Sequence, residues 1–168
     1  MQLIVIRHGI AFERDPERWP DDRERPLTRR GVRRMRRAGP GFKRLVDPVG
    51  ALLTSPWRRA RETALILTET AGWPEPRELP ELTPEHSPEQ TLQAIAGATG
   101  DSIALVGHEP QLSALIAACL AGARAGTLGE LRKGGAAALS FDAQPQLGAA
   151  RLEWLLTPRQ LRLIGRAR

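Results

Sequence analysis

The segment Leu3-Ile4-Val5-Ile6 is apolar at every position and stops abruptly at Arg7-His8-Gly9. A strand with one wet face would alternate apolar and polar residues. A continuous β-branched and aliphatic run needs both faces covered, which is the situation of a strand in a parallel sheet clad by helices. Two further short runs, residues 51–54 and 102–106, have the same character. Each is followed by a charged or polar turn and then a helical pattern.

Thr28 suits an N-cap for a helix from Arg29, with Val32, Met35, Phe42 and Leu45 at helical spacing, although Gly39-Pro40-Gly41 is expected to kink or divide it. Ser55-Pro56 leads into a helix of about four turns through Thr70, which Gly72 and Pro74 end. Residues 13–26, with Pro16, Pro20 and Pro26, predict an exposed loop, and residues 74–88 a proline-dotted connection. A helix is expected near 89–95 and a buried one over about 111–120. Residues 136–141 and 151–156 read as strands that pair as neighbours. The alternation predicts a three-layer α/β/α sandwich with a mostly parallel central sheet, folded as one domain over residues 1–168. In such sheets ligands bind at the carboxyl ends of strands, where His8, the 55–59 turn and His108 all fall.

Composition narrows the setting. No stretch approaches the roughly 18 apolar residues that span a bilayer, and nothing at the N-terminus reads as a signal peptide, so a cytoplasmic protein without a membrane partner is expected. The single cysteine, Cys119, lies in an apolar run and reads as a buried thiol; with three histidines and no close cluster, neither a disulfide, a metal site nor a cofactor is expected. The net charge is +6, but of 25 basic residues only Lys43 and Lys133 are lysine, an arginine bias that fits codon usage as well as binding. Arg29, Arg30, Arg33, Arg34, Arg36 and Arg37 read first as a solvated helix face and second as a dock for an acidic protein; without interleaved aromatic residues, nucleic acid is not expected as a partner.

Three motifs in order, Arg7-His8-Gly9, Ser55-Pro56-Trp57-Arg58-Arg59-Ala60 and Gly107-His108-Glu109-Pro110, resemble the histidine phosphatase superfamily with its phosphoglycerate-mutase-like fold. Arg25-Pro26-Leu27-Thr28, Leu79-Pro80-Glu81-Leu82-Thr83-Pro84 and Thr157-Pro158-Arg159-Gln160-Leu161 extend the likeness to the short SixA-type phosphohistidine phosphatases. The resemblance implies that His8 carries the phosphoryl group, that Arg7 and Arg59 grip its oxygens, and that His108 stabilises them as a donor or imidazolium. Two guanidiniums suit this task, since each presents a planar fork to a pair of oxygens. Residue types alone leave Arg58 and Arg59 interchangeable, and the family spacing Ser-Pro-x-x-Arg-Ala selects Arg59.

Gly9 and the amide of Glu109 are expected to line the same phosphate site, the Glu109 carboxylate pointing away from it. Larger relatives place a proton-donating acid near the segment that holds Glu81 and Glu85; Glu85 is the candidate here, although SixA-type enzymes resemble one another in lacking one. Without an acid, the substrate expected is a phosphohistidine on a signalling protein, handled without metal. The competing readings are a phosphomonoesterase of small metabolites and a non-catalytic phosphate- or polyanion-binding module.

Overall fold

The computed structural model describes all residues except 99, 123–125, 127–128 and 168. Its sheet has six strands in the order β3-β2-β4-β1-β5-β6. These are β1 (Gln2–Arg7), β2 (Ala51–Thr54), β3 (Arg77–Glu78), β4 (Ser102–Gly107), β5 (Ala136–Ser140) and β6 (Arg151–Leu156). β3, β2, β4 and β1 are mutually parallel, β5 runs antiparallel to β1, and β6 antiparallel to β5. The mostly parallel sheet and the pairing of the last two strands agree with the sequence.

Alternate residues of the central strands face opposite layers, as the pleat requires. Ile4, Ile6, Ala104 and Val106 join one buried cluster with residues of α1 (Arg29–Leu45), α2 (Arg58–Ala71) and α5 (Pro158–Ile164). Leu3, Val5, Ile103 and Leu105 join another with α3 (Pro88–Ile95) and α4 (Gln111–Ala121). The central strands β1, β2 and β4 are therefore dry on both sides, which accounts for their unbroken apolar runs, while the edge strands β3 and β6 are largely exposed.

The expected break in α1 is overturned: the helix runs 17 residues through Pro40. A Cβ on Gly39 would meet Thr70 Oγ1 at 1.9 Å, and one on Gly41 the Leu161 carbonyl at 2.1 Å. These glycines let α2 and α5 approach the helix backbone, and that packing outweighs their poor helix propensity. The arginines of α1 are exposed except half-buried Arg34, and Arg36 pairs with Glu69 at 2.8 Å. Cys119 is buried, which pushes its thiol up to about 12. Among the described residues no helix is long and apolar enough to cross a membrane.

Candidate active site

β1 delivers Arg7 and the following His8 to its carboxyl end, while the parallel neighbour β4 delivers Gly107 and then His108 beside them. The His8 amide donates to the Gly107 carbonyl at 3.1 Å, and Ser55, after β2, donates its amide to the Val106 carbonyl at 2.9 Å. Three segments far apart in sequence thus meet because their strands are adjacent in the sheet. A fourth arrives from the other side. The amide of Gly134 lies 3.1 Å from the Arg7 carbonyl and 3.0 Å from that of His8, and the Gly135 carbonyl accepts from the Arg7 amide at 3.1 Å.

His8 Nδ1 sits 2.7 Å from the Gly9 carbonyl. A carbonyl can only accept, so the proton of the neutral ring is on Nδ1 and Nε2 keeps its lone pair. Burial, then the positive charge of Arg59, holds the ring down to about 3, and the hydrogen bond to Gly9 opposes this without reversing it. The imidazole is accordingly neutral at physiological pH, as a nitrogen nucleophile must be. The Gly9 amide donates to Thr63 Oγ1 at 2.9 Å, and that hydroxyl donates to the Arg59 carbonyl at 2.7 Å, tying the His8 turn to α2. Gly9 thereby sets the histidine tautomer. Its amide is already engaged, and a Cβ there would strike Met35 at 2.8 Å, so its smallness serves packing against α1 rather than access to a phosphate.

The two histidine rings lie 5.1 Å apart, centre to centre. His108 Nε2 is 2.9 Å from Ser55 Oγ, which already accepts from the Trp57 amide at 3.3 Å. The Ser55 oxygen keeps a second lone pair and its own hydrogen, so this contact suits a His108 proton on either ring nitrogen; with the proton on Nδ1 the ring has a donor to spare, since Nδ1 has no partner among the described residues. Burial, then the interaction with His8 and the charge of Arg59, pushes His108 down to about 2, so the ring is neutral here rather than an imidazolium.

Arg59 is 4% exposed, whereas the Arg58 side chain is half in solvent and pairs with Glu62 at 2.9 Å. The Arg59 guanidinium stacks 4.5 Å over Trp57, whose ring lies 4.7 Å from His108. Its Nη1 and Nη2 donate to the carbonyl and carboxylate of Asp22 at 2.8 and 3.2 Å. Burial, then Arg25, lowers Arg59 to about 10, still protonated near neutrality. Asp22 also accepts from Arg25 at 2.7 and 3.2 Å. Burial works against its ionisation, but the Arg25 hydrogen bond and the charges of Arg59, Arg25 and Arg14 together hold its carboxyl below the usual range. Arg7 donates through Nη1 to the Leu131 carbonyl at 2.6 Å and to Glu130 at 3.2 Å.

Three buried nitrogens in this cluster have no partner among the described residues: Arg7 Nε, Arg59 Nε and His108 Nδ1. An unpaired buried polar nitrogen costs about 1–3 kcal/mol, and three in one cluster of arginines and histidines mark it as a candidate oxyanion site. The structure does not bring Glu85 into this group. It is exposed and makes no hydrogen bond to Arg7, His8, Arg59 or His108. The Glu109 carboxylate is turned toward Ser113 and Leu131, away from the histidines.

Sequence reasoning quoted Trp57, Thr63 and Arg25 within its motifs but gave them no role, and it missed Asp22 and the 130–135 segment. Trp57 and Thr63 lie inside or beside a motif already singled out, and their helical offsets from Arg59 were the available signal. Asp22 and Leu131 carried none, because only the tertiary fold brings their loops to the strand ends.

Comparison with known proteins bears on the family and the fold. The model of the histidine phosphatase superfamily (branch 1) matches residues 3–84. An uncharacterized protein of Picosynechococcus sp. (strain ATCC 27264 / PCC 7002 / PR-6) is 35% identical over 115 residues, covering 67% of this chain and 68% of its own. Among solved structures, the protein histidine phosphatase SixA complexed with tungstate superposes with a TM-score of 0.81 at 25% identity, over 96% of this chain and 99% of SixA. A mycobacterial glucosyl-3-phosphoglycerate phosphatase in complex with inorganic phosphate gives 0.69 at 17% identity, over 94% and 98% of the two chains, a likeness of fold alone. Its sequence, its sheet and its paired histidines make this chain a member of the histidine phosphatase superfamily.

Proposed function

We propose that the protein is a metal-independent phosphohistidine phosphatase of SixA type, carrying the phosphoryl group on His8. The observation behind this reading is the set of three unpartnered buried nitrogens, Arg7 Nε, Arg59 Nε and His108 Nδ1, in the same cluster as a neutral His8 whose Nε2 keeps its lone pair and has no partner among the described residues. Tungstate, the ligand of the similarly folded SixA structure, is a tetrahedral oxyanion like phosphate.

In the first half-reaction His8 Nε2 attacks phosphorus, the new P–N bond forms, and the P–N bond of the substrate breaks. The departing imidazole leaves neutral if its other nitrogen already holds a proton, so no enzymic acid is required. Water then attacks the phosphoryl group on His8, its P–N bond breaks, and inorganic phosphate leaves with the ring restored. Arg7 and Arg59 neutralise the equatorial oxygens in both steps and supply the positive charge that metal ions give in other phosphoryl transfers. Among the described residues, no neutral acid is hydrogen-bonded to Arg7, His8, Arg59 or His108, which favours the phosphoramidate over a phosphomonoester. Asp22, the carboxyl hydrogen-bonded to Arg59, is held ionised, and Glu85 stands apart.

Rapid quenching with labelled phosphoramidate should trap an acid-labile, base-stable adduct in the native protein and none in His8→Ala. A panel of sugar phosphates and nucleotides forms the second arm. An adduct on serine or cysteine, or an active His8→Ala protein, refutes the mechanism, and turnover of the metabolites alone refutes the substrate class.

A further inference from the structure

We propose that Glu109 is a positioning residue of the phosphoryl pocket: its carboxylate holds the Leu131 peptide that aims the Arg7 guanidinium, and fastens that peptide to the turn bearing His108. The inference rests on the reading of Arg7 and His8 as a phosphate site.

Arg7 is a long side chain at the end of a strand, and orienting it costs up to about 2 kcal/mol of rotamer freedom. Its guanidinium is held at one corner, where Nη1 meets the buried Leu131 carbonyl at 2.6 Å and the exposed Glu130 carboxylate at 3.2 Å; Nε, on another edge, is the buried unpaired donor. The direction of that edge therefore follows the position of the Leu131 carbonyl. Leu131 belongs to no helix or strand. Its side chain is 4% exposed in the core beside α4, and its amide donates to Glu109 Oε1 at 2.8 Å.

The other carboxylate oxygen is anchored just as firmly. Glu109 Oε2 accepts from the Ser113 amide at 3.2 Å and from the Ser113 hydroxyl at 2.5 Å, and Ser113 is 3% exposed in the first turn of α4. Three donors converge on one carboxylate at the start of a helix, a setting that suits a negative charge. Because Glu109 directly follows His108, the same group links the arginine's anchor to the second histidine's turn. The chain has placed a carboxylate next to an anion site and given it structural partners that keep it turned away.

The charge of Glu109 and its positioning role have opposite effects on oxyanion binding. If Glu109 acted only as a nearby negative charge, neutralising it would leave phosphate binding unchanged or tighten it. As a positioning group, its loss weakens binding, because Arg7 loses its aim. Glu109→Gln separates the two: the shape is retained, but one oxygen is lost, so the NH₂ group meets either the Leu131 amide, donor against donor, or the Ser113 pair, where the hydroxyl can accept and the amide cannot.

The inhibition constant of inorganic phosphate and the kcat and KM for a small phosphoramidate should be measured for the native protein, E109Q, Arg7→Lys and the double variant, with a thermal melt of each. E109Q is expected to weaken phosphate and raise KM by about 10- to 100-fold, the range typical of slight misplacement in a preorganised site. In the Arg7→Lys background the same change should add almost nothing, since the guanidinium it serves is gone. Unchanged or tighter phosphate binding in E109Q, or full additivity with Arg7→Lys, overturns the proposal. Ser113→Ala, which releases only one end of the carboxylate, provides the same test should E109Q not fold: weaker phosphate binding supports the proposal and unchanged binding overturns it. A native protein that neither binds phosphate nor turns over phosphoramidate overturns the phosphatase reading itself, an outcome distinct from an active native protein with a silent E109Q.

Discussion

Replacing Arg59 by lysine keeps the charge and removes the fork. Arg59 is 4% exposed, lies over Trp57, and commits Nη1 and Nη2 to Asp22 while Nε remains an unpaired buried donor. A lysine ammonium is a compact point donor that cannot stack as a plane, hold Asp22 through two nitrogens and present a third to the phosphoryl oxygens. Losing one such charge-assisted contact in a desolvated site should cost about 2 to 4 kcal/mol of transition-state stabilisation, or roughly 30- to 1,000-fold in kcat/KM. Arg58→Lys is the matched control: that side chain is half in solvent and its partner is Glu62 one turn along α2. An exposed pair of this type is worth only a few tenths of a kcal/mol. Steady-state kinetics on a phosphoramidate substrate, with thermal melts to confirm folding, decides between them. A reversed pattern, or an Arg59→Lys protein with nearly native kcat/KM, would refute the assignment of the second motif.

Folding stability should fall on the acid side of neutrality. His8 is held down to about 3 and His108 to about 2, against about 6.5 for a histidine in the unfolded chain. The unfolded chain therefore takes up protons that the folded one refuses, so this contribution to stability is complete above about pH 7 and is lost as pH drops from about 6.5 toward 3, by at most about 1.4 kcal/mol per pH unit for each ring. Urea titrations at several pH values check this, and Asn substitution at His108 should flatten the slope; a slope that persists unchanged assigns the loss to other groups. Activity should survive EDTA, since the arginines supply the charge. Complete loss on chelation, restored by a divalent ion, would contradict the metal-independent mechanism.

The parts of the fold legible in sequence are those determined by local pattern. The dry strands announced themselves by unbroken apolar runs, and the cap of α1 is a side chain visible in sequence, Thr28 accepting from the amide three residues on, whereas α5, capped in the same way by Thr157, went unread. Gly39-Pro40-Gly41 misled because its glycines answer a tertiary demand, the close approach of Thr70 and Leu161, that no local rule contains. β3 is a two-residue edge strand, too short for any periodicity. The four chief site residues sat in recognisable motifs, whereas Asp22 and Leu131 touch the site through loops with no periodic signal. Leu131 contributes a backbone carbonyl to Arg7, and any residue type has one.

On the proposed mechanism, the charge around the histidines changes when a phosphoryl group arrives, which explains how two neutral rings would work beside two guanidiniums. Burial first, and then the charges of Arg59 and Arg7, keep protons off both rings. This keeps His8 nucleophilic. A phosphoryl group would bring about two negative charges into the same low-dielectric space, which offset the two guanidiniums, so a proton on His108 facing the phosphoryl oxygens is no longer opposed and can serve as a donor to developing oxygen charge. Asp22 cannot follow. Hydrogen-bonded to both Arg25 and Arg59, it stays ionised throughout and holds the fork of Arg59 in place without offering a proton. A leaving group that needs protonation, such as an alkoxide, finds no acid among these residues, whereas an imidazole that already carries its proton needs none.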